Sequence, residues 1–491
     1  MTSNFRHLLA ATGIAAAGTT SPALAIDPFF PDFGNDGINV LHYDISLDVE
    51  PAAGTIAGKA VITLRAPRTL DRFALDLHAL SVSEVLVNGT AANFSRKGDK
   101  LEITPAKSLR SGEKVNVTVA YGGVPDPLAD PTAPGDNLFL GWFNHRKSAY
   151  VVSEPVGAST FFPANDEPTD KATYRFKISV PEGYTAVANG TLVAQTPVDG
   201  KRRFIWSMTE PMTTWLATVH VNKFTADLRH APDGTPISLY VPEGTPQSHI
   251  DGLAKAGPML TYFETLIGRY PFRSYGSVIV DDPKLYYALE TQAMSTFPED
   301  ASPPDEAFVS HELAHQWFGN SVSVAKWEDL WIAEGAATFF ETWWQHRKDR
   351  AAFDQAMLDI YDYVVAQNLG PAVVDRPEDL FSDRTYYRGG AALYALQLQI
   401  GDSSFFNIMK HFAQDNRGRN VTSEDFIATA VRFSGDGSVR TLLESWLYDD
   451  AVPALPGKAK RTARTGPVPR PDIVGGRCGR GSHRGAPAAC G

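Results

Sequence analysis

Residues 302–338 read SPPDEAFVSHELAHQWFGNSVSVAKWEDLWIAEGAAT. His311 and His315 stand four apart, so on a helix they share one face, one turn above the other. Glu312 lies between them, and H-E-x-x-H is the pattern by which a helix offers two imidazoles to one zinc ion with a general-base glutamate beside them. Independent signals support the helix. Ser302 can cap it, Pro303 suits a first helical position, Asp305 completes a capping-box spacing, and Gly319-Asn320 supplies a stop. A second helical run, Trp327 to about His346, carries Glu334. A catalytic zinc takes three protein ligands and keeps one position open for water. His311, His315 and Glu334 supply those three. Thr338 and Glu341 follow Glu334 on the same helix face, and Glu341 can accept from a ligand histidine's second N–H. Two histidines on an amphipathic helix can also be ordinary core residues; the tryptophan-flanked Glu-Gly on the second helix tells against that here.

His311-Glu-Leu-Ala-His315, followed after eighteen intervening residues by Glu334, resembles the gluzincin aminopeptidases, the family of aminopeptidase N and leukotriene hydrolase. HELAHQWFGN and W-x-x-E-G are specific to that family rather than to zinc hydrolases at large. The resemblance implies an α+β protein: an N-terminal antiparallel β-sandwich domain followed by a thermolysin-like, mainly helical zinc domain. Three further stretches carry it. EPVGASTFFPANDEPTDKA, Glu154 to Ala172, reads plainly as a surface loop with three prolines. It also matches the family's F-P-x-x-D-x-P-x-x-K-A string through Phe162, Pro163, Asp166, Pro168, Lys171 and Ala172, and this gives Glu154 the task of holding a substrate's free amino group. Tyr286-Tyr-Ala-Leu-Glu290-Thr-Gln292 occupies the place of the family's G-x-M-E-N motif, which puts Glu290 in a second amine-binding position. Tyr287 stands there for the Gly and Thr291 for the Asn. Tyr386-Tyr387-Arg388-Gly389 resembles the family's Y-x-[KR]-G string, whose first Tyr donates to the oxyanion. Register assigns that place to Tyr386, with Tyr387 the alternative if the local register slips by one.

The rest of the chain bounds this reading. Residues 1–25 have the form of a secretory signal: Arg6 and His7 precede an apolar run from Leu8 to Gly18, and Ala23-Leu24-Ala25 offers cleavage after Ala25. The run is too short to span a bilayer and no later segment reaches transmembrane length, so an exported protein without a membrane span is expected. At 491 residues and 43 % hydrophobic content, the chain can bury cores in two or three domains. The formal net charge is −11, and the tail from Gly457 carries eight Lys/Arg against one Asp, which leaves −18 on residues 1–456. So acidic a body argues against nucleic acid as a partner. Both cysteines, Cys478 and Cys490, lie in that tail, so the folded body needs no disulfide.

From Gly37 to about Phe224, segments such as HYDISLDVE (42–50), AVITLRA (60–66), KLEITPA (100–106) and KVNVTVAY (114–121) alternate apolar and polar residues. Turn clusters such as Val87-Asn-Gly89 separate them, and the alternation predicts half-buried antiparallel sheets. From about Thr225, ISLYVPEG and YGSVIVDD read as strands around the helical spacing of SHIDGLAKAGPMLTYFETLIGRY. Helical segments then run from Ala391 to about Tyr448. Residues 457–491, rich in Arg, Gly, Ala and Pro, are expected to be disordered. The expected organisation is a signal at 1–25, a β-domain at 26–224, a catalytic domain at 225–456 and the basic tail, a short form without the long helical domain of most relatives.

The expected chemistry is amide hydrolysis on one zinc per chain, with Glu312 as base and Tyr386 toward the oxyanion. Such a set would cut peptide bonds anywhere. Glu154 and Glu290, in the places the resemblance gives them, would restrict it to peptides with a free N-terminus. A secreted zinc aminopeptidase is therefore expected. A thermolysin-like endopeptidase would keep the zinc residues but need no amine clamp. An inactive peptide-binding protein on the same fold would have lost a ligand or the base.

Overall fold

The alternating segments pair as their period of two requires. Asn39–Glu50 buries Tyr43, Ile45, Leu47 and Val49 on one face and pairs antiparallel with Thr55–Arg65, which in turn pairs with Lys114–Gly123. In this computed structural model, which describes residues 26–299, 302–457 and 468–471, these strands lie inside an eight-stranded sheet. The expected signal at 1–25 and both cysteines fall outside the described residues. Asn88 and Gly89, at φ of 50° and 77°, close the hairpin from Ser81–Val87 to Thr90–Ala91, as a two-residue turn with both centres left-handed demands. One pairing departs from the antiparallel expectation: Asn39–Glu50 runs parallel to Ala172–Pro181. Between those strands the chain leaves the sheet, builds Phe139–His145 and Ser148–Val152 into a separate five-stranded sheet, and only then returns.

The stretch that reads as a surface loop is buried instead, from Ser153 through Pro168. Its polar groups are paired inside. Asp166 accepts from Gly157 N at 3.1 Å and from Thr214 Oγ1 at 2.7 Å, Asn165 N donates to the Tyr43 hydroxyl at 2.9 Å, and Asp170 accepts from Val40 N at 3.0 Å. Burial pushes the Asp170 carboxyl up to about 7.

A four-stranded sheet follows, Phe224–His230, Pro236–Pro242, Tyr275–Val280 and Ser295–Pro298, its last two pairings parallel. Helix Ala256–Ile267, which bridges two of these strands, buries Met259, Leu260, Phe263 and Ile267 at helical spacing. Beyond the sheet come helices Glu306–Ala314, Trp331–Gln345, Arg350–Ala366, Gly389–Ile400, Asp402–Asp415, Ser423–Ser434 and Ser438–Tyr448. Trp331–Gln345 is buried almost all round, which makes it the centre of the helical part. Among the described residues no helix is long and apolar enough to cross a membrane.

Two details differ from expectation. The first histidine helix is capped by Asp305, whose carboxylate accepts from Phe308 N at 2.8 Å, not by Ser302. Pro304 disfavours helical dihedrals at the residue before it, and the helix opens at Glu306 rather than at Pro303. Residues 468–471, within the tail expected to be disordered, lie against the helical part through Arg470 and Pro471.

The β-rich and helical parts are bonded to each other near the histidine helix. Lys171 Nζ donates to the carbonyls of Asn320 and Ser321 at 3.0 Å each, and Asn189 Nδ2 donates to the Gln292 carbonyl at 2.9 Å. The Trp215 and Trp327 rings pack with centroids 5.5 Å apart.

Candidate active site

The helix Glu306–Ala314 and the turn after it place His311 and His315 against Glu334, which projects from Trp331–Gln345. Both Nε2 atoms lie 3.4 Å from Glu334 Oε2. A tetrahedral zinc with bonds of about 2.1 Å holds its ligand atoms roughly 3.4 Å apart, so the spacing is that of a shared metal. The other ring nitrogens are taken. His311 Nδ1 donates to Glu341 Oε2 at 2.9 Å, and His315 Nδ1 donates to the Phe318 carbonyl at 3.2 Å. Both bonds fix the tautomer that turns Nε2 toward Glu334. His311 Nε2 and Glu334 Oε2 are buried, and neither has a hydrogen-bond partner among the described residues. Buried polar atoms left without partners are costly unless something binds them. The donor set, its spacing and these orphaned atoms fit one zinc ion.

The turn after the helix explains the His315 contact. The N–H groups of Asn320, Ser321 and Val322 reach back five residues, to His315, Gln316 and Trp317. A regular helix would direct the Val322 N–H to Phe318; here that carbonyl is left for His315 Nδ1.

Glu312 is buried beside the triad, and both its oxygens lack a hydrogen-bond partner among the described residues. Among these side chains alone, burial pushes its carboxyl up to about 8, with His311 and His315 pulling the other way; a zinc ion on the triad would draw it back down, to the ionised form a base needs. On the histidines burial opposes charge, but Glu334 and Glu341 outweigh it at His311, and Glu290 with Glu334 outweighs it at His315, raising them to about 10 and 9.

Glu154 follows the strand Ser148–Val152, and Glu290 lies in the segment where Leu289 pairs with Thr296 of the sheet edge. Both are buried, and their carboxylate oxygens lie within 4.8 Å of each other and of Glu334. Tyr386 stands on a π-helical turn, Arg384–Arg388, its ring stacked on His311 at a centroid distance of 6.3 Å. Tyr387 faces away, donating from its hydroxyl to the Pro471 carbonyl at 3.0 Å.

The Peptidase M1 N-terminal domain matches residues 39–216, and the Peptidase family M1 domain matches residues 253–446. The M1 zinc metallopeptidase from Deinococcus radiodurans superposes with a TM-score of 0.80 at 30 % identity, covering 88 % of this chain and 99 % of that one. The chain belongs to peptidase family M1. A mutant of the Deinococcus protein bound to a Tyr-Ser-Ala substrate superposes with a TM-score of 0.81 at 29 % identity, covering 88 % of this chain and 98 % of that one. This M1 chain is also 26 % identical to human glutamyl aminopeptidase over 87 % of its own length and 47 % of that protein's. Rice aminopeptidase M1-A is 26 % identical over 85 % of this chain and 51 % of its own. The chain thus spans about half the length of the curated relatives it matches.

Several contacts that shape this M1 site are not legible in the sequence. Gln316 Nε2 and Asn320 Nδ2 donate to the Glu290 carbonyl at 3.0 and 2.6 Å, and Gln316 Oε1 accepts from Ala293 N at 2.8 Å. The histidine helix therefore pins the Glu290 segment; the spacing of Gln316 one turn past Glu312 is the signal that could have found it. Arg388, in the family's Lys/Arg place, is buried and donates to the carbonyls of Leu369, Ser445 and Trp446. It caps the end of helix Ser438–Tyr448 instead of reaching the metal triad. Gly335 and Gly389 let two backbones touch, since a Cβ on Gly335 would lie 2.7 Å from the Gly389 carbonyl carbon. Their contact sets the spacing between the elements that carry Glu334 and Tyr386.

Proposed function

We propose that this chain is an exported zinc aminopeptidase that removes residues from the free N-terminus of peptides. The observation that carries the reading is the meeting of Glu154 and Glu290, from separate elements, beside the triad, all carboxylates within 4.8 Å of Glu334. Held by His311, His315 and Glu334, a zinc ion would supply Lewis-acid polarisation of the scissile carbonyl and would acidify water toward neutrality. Glu312 accepts the attacking water's proton on a carboxylate oxygen and delivers it to the leaving amine. Tyr386 donates its hydroxyl hydrogen to the oxygen on which negative charge develops. Glu154 and Glu290 receive the substrate ammonium through charge-assisted hydrogen bonds, and so measure the cut from the chain's first residue.

An endopeptidase with the same zinc residues has no use for buried carboxylates at that place, where they would repel a substrate carbonyl instead of holding it. Export rests on Arg6, His7 and the apolar run to Gly18 ahead of Ala23-Leu24-Ala25. A panel of aminoacyl anilides, assayed with and without a chelator, tests the activity. Release of anilide that stops on chelation and returns with zinc is expected. No release from any member would overturn the reading.

A further inference from the structure

Residues 468–471 read Val-Pro-Arg-Pro, and their partners converge on one turn. Val468 packs against the core. Arg470 Nη2 donates to Asp383 Oδ1 at 2.7 Å, and its guanidinium lies 5.5 Å from the Tyr387 ring centroid. The Pro471 carbonyl accepts from the Tyr387 hydroxyl at 3.0 Å. Asp383 precedes, and Tyr387 belongs to, Arg384–Arg388, the π-helical turn that presents Tyr386 to His311. Tyr363 meets the same two residues from inside, donating to Asp383 Oδ2 at 2.6 Å and packing its ring 5.2 Å from that of Tyr387.

A π-helical turn is a rare and weakly held form that persists where its surroundings enforce it. Tyr386 and Tyr387 are consecutive, so their side chains leave the turn in different directions, and fixing one fixes where the other points. Arg384, Thr385 and Arg388 bond the body of the turn to Pro371, Leu380 and Leu369; at Asp383 and Tyr387 it is met by Tyr363 on one side and by the cation of Arg470 and the carbonyl of Pro471 on the other. We infer that residues 468–471 form a strap, with Arg470 a positioning residue that keeps Tyr386 aimed at the metal triad by pinning Asp383 and Tyr387. This rests on Tyr386 being the oxyanion donor.

The test uses the full-length, zinc-loaded protein as Arg470→Ala and Arg470→Lys, with kinetics on an aminoacyl anilide and hydrogen exchange of the backbone amides. A 1 Å misplacement of a catalytic group costs about 10²-fold, so a loosened turn is expected to lower kcat by roughly tenfold. KM should hold, because Glu154 and Glu290 are untouched, and Arg470→Lys should restore most of kcat by restoring the charge. Amides 383–388 and the Arg470 amide should exchange faster in Arg470→Ala than in the unmutated protein. Unchanged exchange at 383–388 overturns the strap, and so does a fall in kcat that comes with lost zinc or a lower Tm. If exchange at 383–388 quickens but neither Arg470→Ala nor Tyr386→Phe lowers kcat, the strap stands and the oxyanion role of Tyr386 has failed.

Discussion

Glu312 and the two histidines beside it share one helix but differ in what their atoms meet. The histidines are locked by acceptors at Nδ1, whereas both Glu312 oxygens have no such partner among the described residues. A ligand and a base should therefore fail differently. Glu312→Gln is expected to keep one zinc per chain while losing turnover by about 10²–10⁴-fold, the range of a positioned acid–base group. His311→Ala should lose the metal itself; metal analysis beside activity separates the two. Tyr386→Phe should lower kcat by roughly 10²-fold with KM nearly unchanged, as for a group that acts only in the transition state. Tyr387→Phe should not, and the reverse result would shift the assignment by one residue. The metal triad was legible because its spacing is local and its chemistry restrictive. The choice between Tyr386 and Tyr387 was not, since it turns on a single π-helical turn that no periodicity marks.

At the scale of elements, packing distance decides function. The helix of Glu334 and the turn of Tyr386 approach through Gly335 and Gly389. Gly335→Ala drives a methyl into backbone, so it should cost about 1–3 kcal/mol of stability, the usual range for overpacking, and reduce kcat as well. Denaturant melts and kinetics on the same sample check both. Asp170, two residues past the buried segment 153–168, makes a separate prediction. Its folded value near 7 lies above the ordinary 3.8, so the penalty for its charge is absent below about pH 4, grows as pH rises, and is complete above about 7. Asp170→Asn, which cannot ionise, should gain stability relative to the unmutated protein across that window, by up to about 1.4 kcal/mol per pH unit. Both proteins are melted with chelator present, so that zinc loss is common to them; a difference independent of pH contradicts the assignment. Strands such as Asn39–Glu50 were legible from their period of two. The burial of 153–168 was not, because its polar groups are satisfied by residues far off in sequence, Tyr43 at the Asn165 N–H and Thr214 at the Asp166 carboxylate among them.

Across the whole molecule, the site is assembled from parts that the chain keeps far apart. Glu154 comes from the β-rich part, Glu290 from the sheet edge, and the triad from two helices, with Lys171 and Asn189 bonding the parts together. Motifs spelled out each piece, but only the folded chain shows that Gln316 and Asn320 hold the Glu290 segment in place. An ammonium between two carboxylates gains bonds on each side, and losing one partner should cost about 1.5–3 kcal/mol, roughly 10–150-fold in kcat/KM. Glu290→Ala should show that loss on free-amine peptides. The most direct measurement incubates the unmutated, zinc-loaded protein with one peptide in two forms, free and acetylated at its N-terminus, and reads the products by mass. Stepwise loss of N-terminal residues from the free form alone is the result expected of an amine clamp. Internal cuts in both forms would contradict it.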